Sequence, residues 1–294
     1  MSGAVGLIGI GLVGSGLAAN LLPAGFDVIG YDIDPDRLAA FATAGGTPAT
    51  SAADVAEHAT RVLLSLMTVD IIRDVLFGAD GILASPVLPA IIIDTSTCLP
   101  NDSTVLTGEL GGSGIAYIDA PISGTSSQIR AKQGTFLVAG DFSAIEQCTD
   151  IFDAIAGQRF DVGPSGNGSR VKLAINLVLG LNREALAEAL GFAENIGLDP
   201  AAFLDIAKQT VAYSKVMDVK GPKMISGDFS TEAKLSQHRK DVGLILDLAG
   251  QVGLQLPLSE THAKILDLAI AEGDGELDNS VIINTLKKMR PGTI

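Results

Sequence analysis

The chain has 294 residues, of which 47% are hydrophobic and 18% charged, with 34 glycines and no tryptophan, the composition of a globular protein long enough for two domains. A formal net charge of -14 excludes sequence-independent binding to nucleic-acid phosphates or anionic membrane surfaces, which needs clustered Lys and Arg. No run reaches the roughly 18 to 20 apolar residues of a membrane span, and Cys98 and Cys148 lie too far apart in sequence for a metal-type spacing or a disulfide framework.

From the N-terminus, MSGAVGLIGIG lacks the basic region of a secretory signal. Together with the sparse cysteines this makes the cytoplasm the expected compartment. Short apolar runs then alternate with helical patterns: AVGLIG, DVIGYD, RVLLSLM, AIIID, AYID and TFLVAG read as strands. That alternation predicts a parallel, doubly wound α/β sheet of the Rossmann type, with strands covered on both faces. Ser51 and Asp54 mark a helix start as N-cap and first-turn acid.

Between the first two strands, Gly9, Gly11 and Gly14 form G-x-G-x-x-G at a strand-to-helix junction. The first glycine permits the tight turn, the second lets backbone approach a pyrophosphate, and the third lets helix and strand pack closely. A phosphate then meets N–H groups at the positive helix end. The second strand ends in Asp32, eighteen residues after Gly14, where a carboxylate accepts ribose hydroxyls and repels a 2'-phosphate. The expected cofactor is therefore NAD, with Arg37 as a minor route to NADP.

PSGNGS, after the DVG at 161 to 163, is rich in turn residues, and beyond it strand signals give way to helices. The expected domains are 1-163, dinucleotide-binding, and 164-294, a helical substrate and dimerisation domain. A long helix from about Ser169 to Gly197 is expected to join them, spanning roughly 40 Å. Its first half is apolar nearly all round, so it is expected to be buried between domains or subunits.

Further motifs are IIIDTSTCLP (91 to 100), YIDAPISGTSSQIRAKQGT (117 to 135), GNGSRVKLAIN (166 to 176), HRKD (238 to 241) and GDGELDNS (273 to 280). With the glycine loop, and in this order, they resemble the 3-hydroxyisobutyrate dehydrogenase, or beta-hydroxyacid dehydrogenase, family over essentially the whole chain. The resemblance implies hydride transfer between NAD and a small 3-hydroxy acid, without a metal. It also implies that Lys172 is the catalytic acid/base and Asn176, one helical turn on, its orienting partner.

By the same resemblance, Ser123, Gly124 and Thr125 hold the substrate carboxylate with backbone N–H groups and a hydroxyl, and Ser96 reaches the substrate. Leu12, Val13, Leu66, Met67, Thr97 and Lys240 join the glycines and Asp32 at the cofactor. The family usually has a second glycine where Thr125 stands, and many relatives carry asparagine where this chain has Ile175. Cys98 reads as a small buried residue, Asp241 as a helix contact, and His238 as a surface or interface residue. The expected partners are a small anionic hydroxyacid and copies of the chain, as a homodimer or homotetramer. An imine reductase and a non-catalytic dinucleotide-binding regulator are the alternatives on this scaffold, and Lys172 argues against both.

Overall fold

The computed structural model describes residues 4–289. The chain divides into two compact units, Met1–Lys172 and Leu173–Ile294. The first unit runs β1 (Val5–Ile8), α1 (Leu12–Leu21), β2 (Val28–Tyr31), α2 (Pro35–Thr43), β3 (Thr47–Pro48), α3 (Ala52–His58), β4 (Arg61–Leu64), α4 (Val69–Phe77), β5 (Ile91–Asp94), α5 (Pro100–Gly111) and β6 (Ala116–Asp119). These six strands form one parallel sheet in the order β3-β2-β1-β4-β5-β6. The order reverses at β1, and in such sheets ligands bind beyond the carboxyl ends of the strands at that point.

Side chains alternate across the sheet. Leu7, Leu63 and Ile93 point into a core with Leu17, Leu21 and Phe152, whereas Ile8, Leu64 and Ile92 point into a second core with Val55, Ile72 and Leu106. Both faces are therefore dry, which explains the uninterrupted apolar strand runs. Helix starts are set locally: Ser51 Oγ accepts the Asp54 N–H and Asp34 caps α2 ahead of Pro35, as this chemistry favours.

The run TFLVAG departs from expectation. It supplies β8 (Thr135–Val138), which lies outside the main sheet in a three-stranded sheet with β7 (Ile122–Ser123) and β9 (Gln158–Asp161). The β7 pairing is antiparallel, because only the short α6 (Ser126–Arg130) separates β7 from β8 and leaves no room for a crossover. After α7 (Phe142–Glu146), α8 (Thr149–Ile155) and β9 comes α9 (Asn167–Asn195), a helix of 29 residues.

The second unit adds α10 (Pro200–Ala207), α11 (Val216–Val219), α12 (Gly221–Ser226), α13 (Leu235–Gln251), α14 (Pro257–Ala271) and α15 (Ile282–Lys288). Leu186, Leu190, Leu204, Leu235, Leu266 and Ile282 form its core. The GDGELDNS motif has a structural task here. Asp278 accepts both N–H···O bonds from Lys220 Nζ, at 2.8 Å each, and further bonds from the Glu232, Ala233 and Ser280 amides. Burial pushes the Asp278 carboxyl up, but Lys220 and Ser280 outweigh it and hold it below its ordinary value. On the α9 surface Val178 is 56% exposed and Leu179 37%, so in the single chain that apolar stripe is uncovered. No helix among the described residues is long and apolar enough to cross a membrane.

Candidate active site

Gly9 takes a left-handed conformation, φ +88°, and a side chain there would run into the Ser65 carbonyl. A Cβ on Gly14 would strike the Gly9 carbonyl, whereas a Cβ on Gly11 would meet only Arg37 Nη1, 3.8 Å away. The three glycines thus perform three tasks: turn, helix-to-strand packing and open approach. α1 begins at Leu12 without a side-chain cap, so the Leu12 and Val13 amides have no carbonyl one turn back to receive them. This cradle fits a dinucleotide pyrophosphate.

Asp32 is 6% exposed. Its carboxylate accepts the Ile10 N–H at 2.6 Å and the Asp34 N–H at 2.9 Å, which ties the end of β2 to the glycine loop. Arg37 stands 3.5 Å from Asp32 and 3.2 Å from Asp34 and is half exposed. Neither the Ile10 bond nor the nearness of Arg37 to Gly11 was legible in the glycine motif.

At the carboxyl ends of β4, β5 and β6 the polar groups interlock. Ser96 Oγ accepts the Leu66 N–H at 3.0 Å, the Ser96 N–H donates to Asp94 Oδ1 at 2.9 Å, and the Tyr117 hydroxyl donates to Asp94 Oδ2 at 2.6 Å. Met67 is exposed, Thr97 is half-buried and Cys98 is buried. Asp119, opposite Asp94 in register, accepts the Gly166 N–H at 3.1 Å, the Ser169 N–H at 3.0 Å and the Ser169 hydroxyl at 3.1 Å. Burial, with Asp94 nearby, raises its carboxyl to about 6 against these bonds. Sequence reasoning missed Asp94 and Asp119 as a pair; the available signal was a carboxylate closing each of two apolar strands.

Ser123 ends β7, and Gly124 has φ +155°. Thr125 is the N-cap of α6: its hydroxyl accepts the Gln128 N–H, and its own N–H donates to Gln128 Oε1 at 2.9 Å. The Thr125 amide is thus committed to a capping box. The anion-binding amides expected of this loop reduce to those before it, because Gln128 three residues on takes the third.

Lys172 and Asn176 lie on α9, 8% and 4% exposed. Asn176 Nδ2 donates to Asp241 Oδ2 on α13 at 2.9 Å, and Lys240 Nζ lies 3.2 Å from Asp241 Oδ1. His238, expected at the surface or an interface, is buried within the single chain: it is 7% exposed and its Nε2 lies 2.9 Å from His262 Nε2. The α13 face that carries Val242 and Ile245 inward also carries His238 and Asp241, a helical periodicity that HRKD alone is too short to reveal.

Sheet order, glycine cradle and the uncapped start of the following helix define a dinucleotide-binding fold with a helical second unit. Comparison narrows the class. The profile described as the NAD binding domain of 6-phosphogluconate dehydrogenase matches residues 4–163, and that described as NAD-binding of NADP-dependent 3-hydroxyisobutyrate dehydrogenase matches residues 166–286. The chain belongs to the 3-hydroxyisobutyrate dehydrogenase (beta-hydroxyacid dehydrogenase) family.

Among its relatives, L-threonate dehydrogenase of Cupriavidus necator is 32% identical over 99% of this chain and 97% of its own. The 2-hydroxy-3-oxopropionate reductase of Escherichia coli is 30% identical over 83% of this chain and 84% of its own. The 3-hydroxyisobutyrate dehydrogenase of Salmonella typhimurium has a similar structure, with TM-score 0.88 and 26% identity, covering 96% of this chain and 99% of that one.

Proposed function

We propose that the protein is an NAD-preferring dehydrogenase of a small hydroxy acid, interconverting the alcohol with its aldehyde or ketone, with Lys172 as general acid/base. The observation that carries this is a buried lysine one helical turn from a buried asparagine whose amide is oriented by a carboxylate. When bound, the nicotinamide supplies or accepts the hydride. Lys172 as neutral amine takes the hydroxyl proton during oxidation, and as ammonium returns it to the carbonyl oxygen during reduction. Because Asn176 donates through Nδ2 to Asp241, its Oδ1 is left to accept from substrate or lysine.

Ser96, Ser123 and Gly124 are assigned to substrate, Thr125 to shaping the carboxylate loop through its cap. Gly9, Gly11, Gly14, Leu12, Val13, Leu66, Met67, Thr97 and Lys240 are assigned to cofactor. NAD is preferred because a second negative charge beside the buried Asp32 carboxylate is repelled, and Arg37 offsets part of that repulsion. The reaction class agrees with relatives that are L-threonate dehydrogenase, 2-hydroxy-3-oxopropionate reductase and 3-sulfolactaldehyde reductase. Assembly as a homodimer or homotetramer is supported by the uncovered Val178, Phe192 and Ile196, and a monomer by light scattering would contradict it. Two buried free thiols accord with a cytoplasmic setting.

The deciding experiment is a dehydrogenase and reductase assay over threonate, 3-hydroxyisobutyrate, serine, tartronate semialdehyde and 3-sulfolactaldehyde, with NAD and NADP in parallel. Turnover of none of these, or clear preference for NADP, would refute the corresponding half of the proposal.

A further inference from the structure

Three helices of the second unit meet in a buried chain of titratable groups. His238 on α13 and His262 on α14 face each other Nε2 to Nε2 at 2.9 Å, and His262 Nδ1 lies 2.7 Å from Glu184 Oε2 on α9. The three residues are 7%, 1% and 9% exposed. At this approach His262 Nδ1 makes no hydrogen bond of good geometry to Glu184.

Position 180 of α9 makes the arrangement possible. A Cβ on Gly180 would lie 2.8 Å from His238 Nε2 and 3.2 Å from His262 Nε2, closer than packed atoms tolerate. The glycine, costly inside a helix, is the floor on which the two rings sit. One turn earlier on the same helix, Asn176 bonds Asp241. α9 and α13 therefore meet at two adjacent levels: Asn176 bonds Asp241 directly, and His238 sits over Gly180 and reaches Glu184 through His262.

The protons on this chain can be counted. Nε2 atoms 2.9 Å apart hold one hydrogen between them; with none the lone pairs repel, and with two the N–H groups collide. Nδ1 of His262 must carry a hydrogen to sit 2.7 Å from a carboxylate oxygen. The pair thus holds two protons when neutral and three when singly charged, but a second imidazolium forces the rings apart. Arg183 on α9 is buried and interacts with Glu184, Asp241 on α13 is taken by Asn176 and Lys240, and Arg239 pairs with Asp267 on the exposed side of α13 and α14.

We propose that His238, His262 and Glu184 act as a positioning lock for the reaction: by fixing α13 on α9 they hold Asp241 against Asn176, and a second imidazolium proton opens the lock. The inference rests on the proposed role of Asn176 beside Lys172. None of the three residues is assigned contact with substrate.

The test is kcat and KM against pH for the wild type, His238→Gln and Gly180→Ala, with circular dichroism to verify folding. In the reductive direction, where Lys172 works as ammonium, wild-type kcat is expected to fall about fivefold or more toward the acid end of the range over which circular dichroism shows the fold intact, while NADH affinity holds. His238→Gln, which cannot charge, is expected to have kcat about threefold to tenfold lower at pH 7.5 and no such acid limb. Gly180→Ala is expected to lower kcat at every pH without weakening NADH binding. If it fails to fold, His238→Gln decides alone.

An acid limb retained in His238→Gln in the reductive direction, or a wild-type kcat flat down to the pH at which the fold itself is lost, overturns the proposal. The lock has a readout independent of turnover, a low-field imidazole N–H resonance from the shared Nε2 hydrogen, lost on acidification and absent in His238→Gln. If Lys172→Ala proves fully active while that resonance behaves as stated, the catalytic assignment fails and the lock stands. If the resonance is missing in an enzyme that depends on Lys172, the lock fails and the assignment stands.

Discussion

Asn176 donates its amide hydrogen to Asp241 across 2.9 Å, and both side chains are buried. The bond decides which end of the carboxamide is presented to the reaction, since an amide that gives its nitrogen to a carboxylate has its oxygen left over. Replacing Asp241 by Asn removes the obligatory acceptor and lets Asn176 flip. A fall in kcat of about tenfold or more is expected with little change in NADH affinity. Unchanged kcat would show that the orientation of Asn176 is set elsewhere.

Lys172→Ala is expected to lower kcat by about 10²- to 10⁴-fold, the usual worth of a positioned acid/base. NADH binding, followed by fluorescence titration, should be nearly unaffected, because the glycine cradle and Asp32 belong to other elements. Loss of both together would point to a damaged fold.

At the cofactor end, Arg37→Ala is expected to raise the ratio of kcat/KM with NAD to that with NADP by several-fold. It removes the cation that lies 3.5 Å from Asp32 and is placed to meet a 2'-phosphate. Asp32→Ala should lower the ratio. It should also loosen the glycine loop, which Asp32 holds through the Ile10 amide. The two variants moving the ratio in the same direction would refute the assignment.

Asp278→Ala leaves Lys220 without its carboxylate in a site where the pair is 6% and 0% exposed, and Arg183, also buried, loses a compensating charge. Breaking such a pair from one side costs about 3–5 kcal/mol, measurable by urea denaturation. A loss below 1 kcal/mol would mean that water reaches Lys220.

Asp119 has a pH signature of its own. Its carboxyl is raised by burial from 3.8 to about 6, so the folded state holds the proton more tightly than the unfolded state. The resulting stability is complete below about pH 3.8 and is lost as pH rises through 6. Asp119→Asn removes this dependence. Relative to the wild type it should gain on the order of 3 kcal/mol between pH 4 and 7, and parallel curves would show that Asp119 ionises freely in the fold.

The sequence by itself determined the N-terminal half of the fold, because a buried parallel strand must be apolar throughout and the start of α3 follows from local chemistry at Ser51. It also determined the glycine loop, since only glycine fits where Gly9 and Gly14 approach their neighbours, and the motif order placed the chain in its family. Tertiary structure alone decided the rest. That β8 leaves the main sheet depends on a strand partner, β7, too short to leave a periodic pattern. That Thr125 gives its amide to Gln128 depends on the start of α6, and that Asp94 meets Tyr117 and Asp119 meets Ser169 depends on strand register and on where α9 begins. His238 is the clearest case. A histidine in a charged tetrad carries no sign of its depth, and only the approach of α13 and α14 to Gly180 turns it into one end of a buried proton-sharing pair.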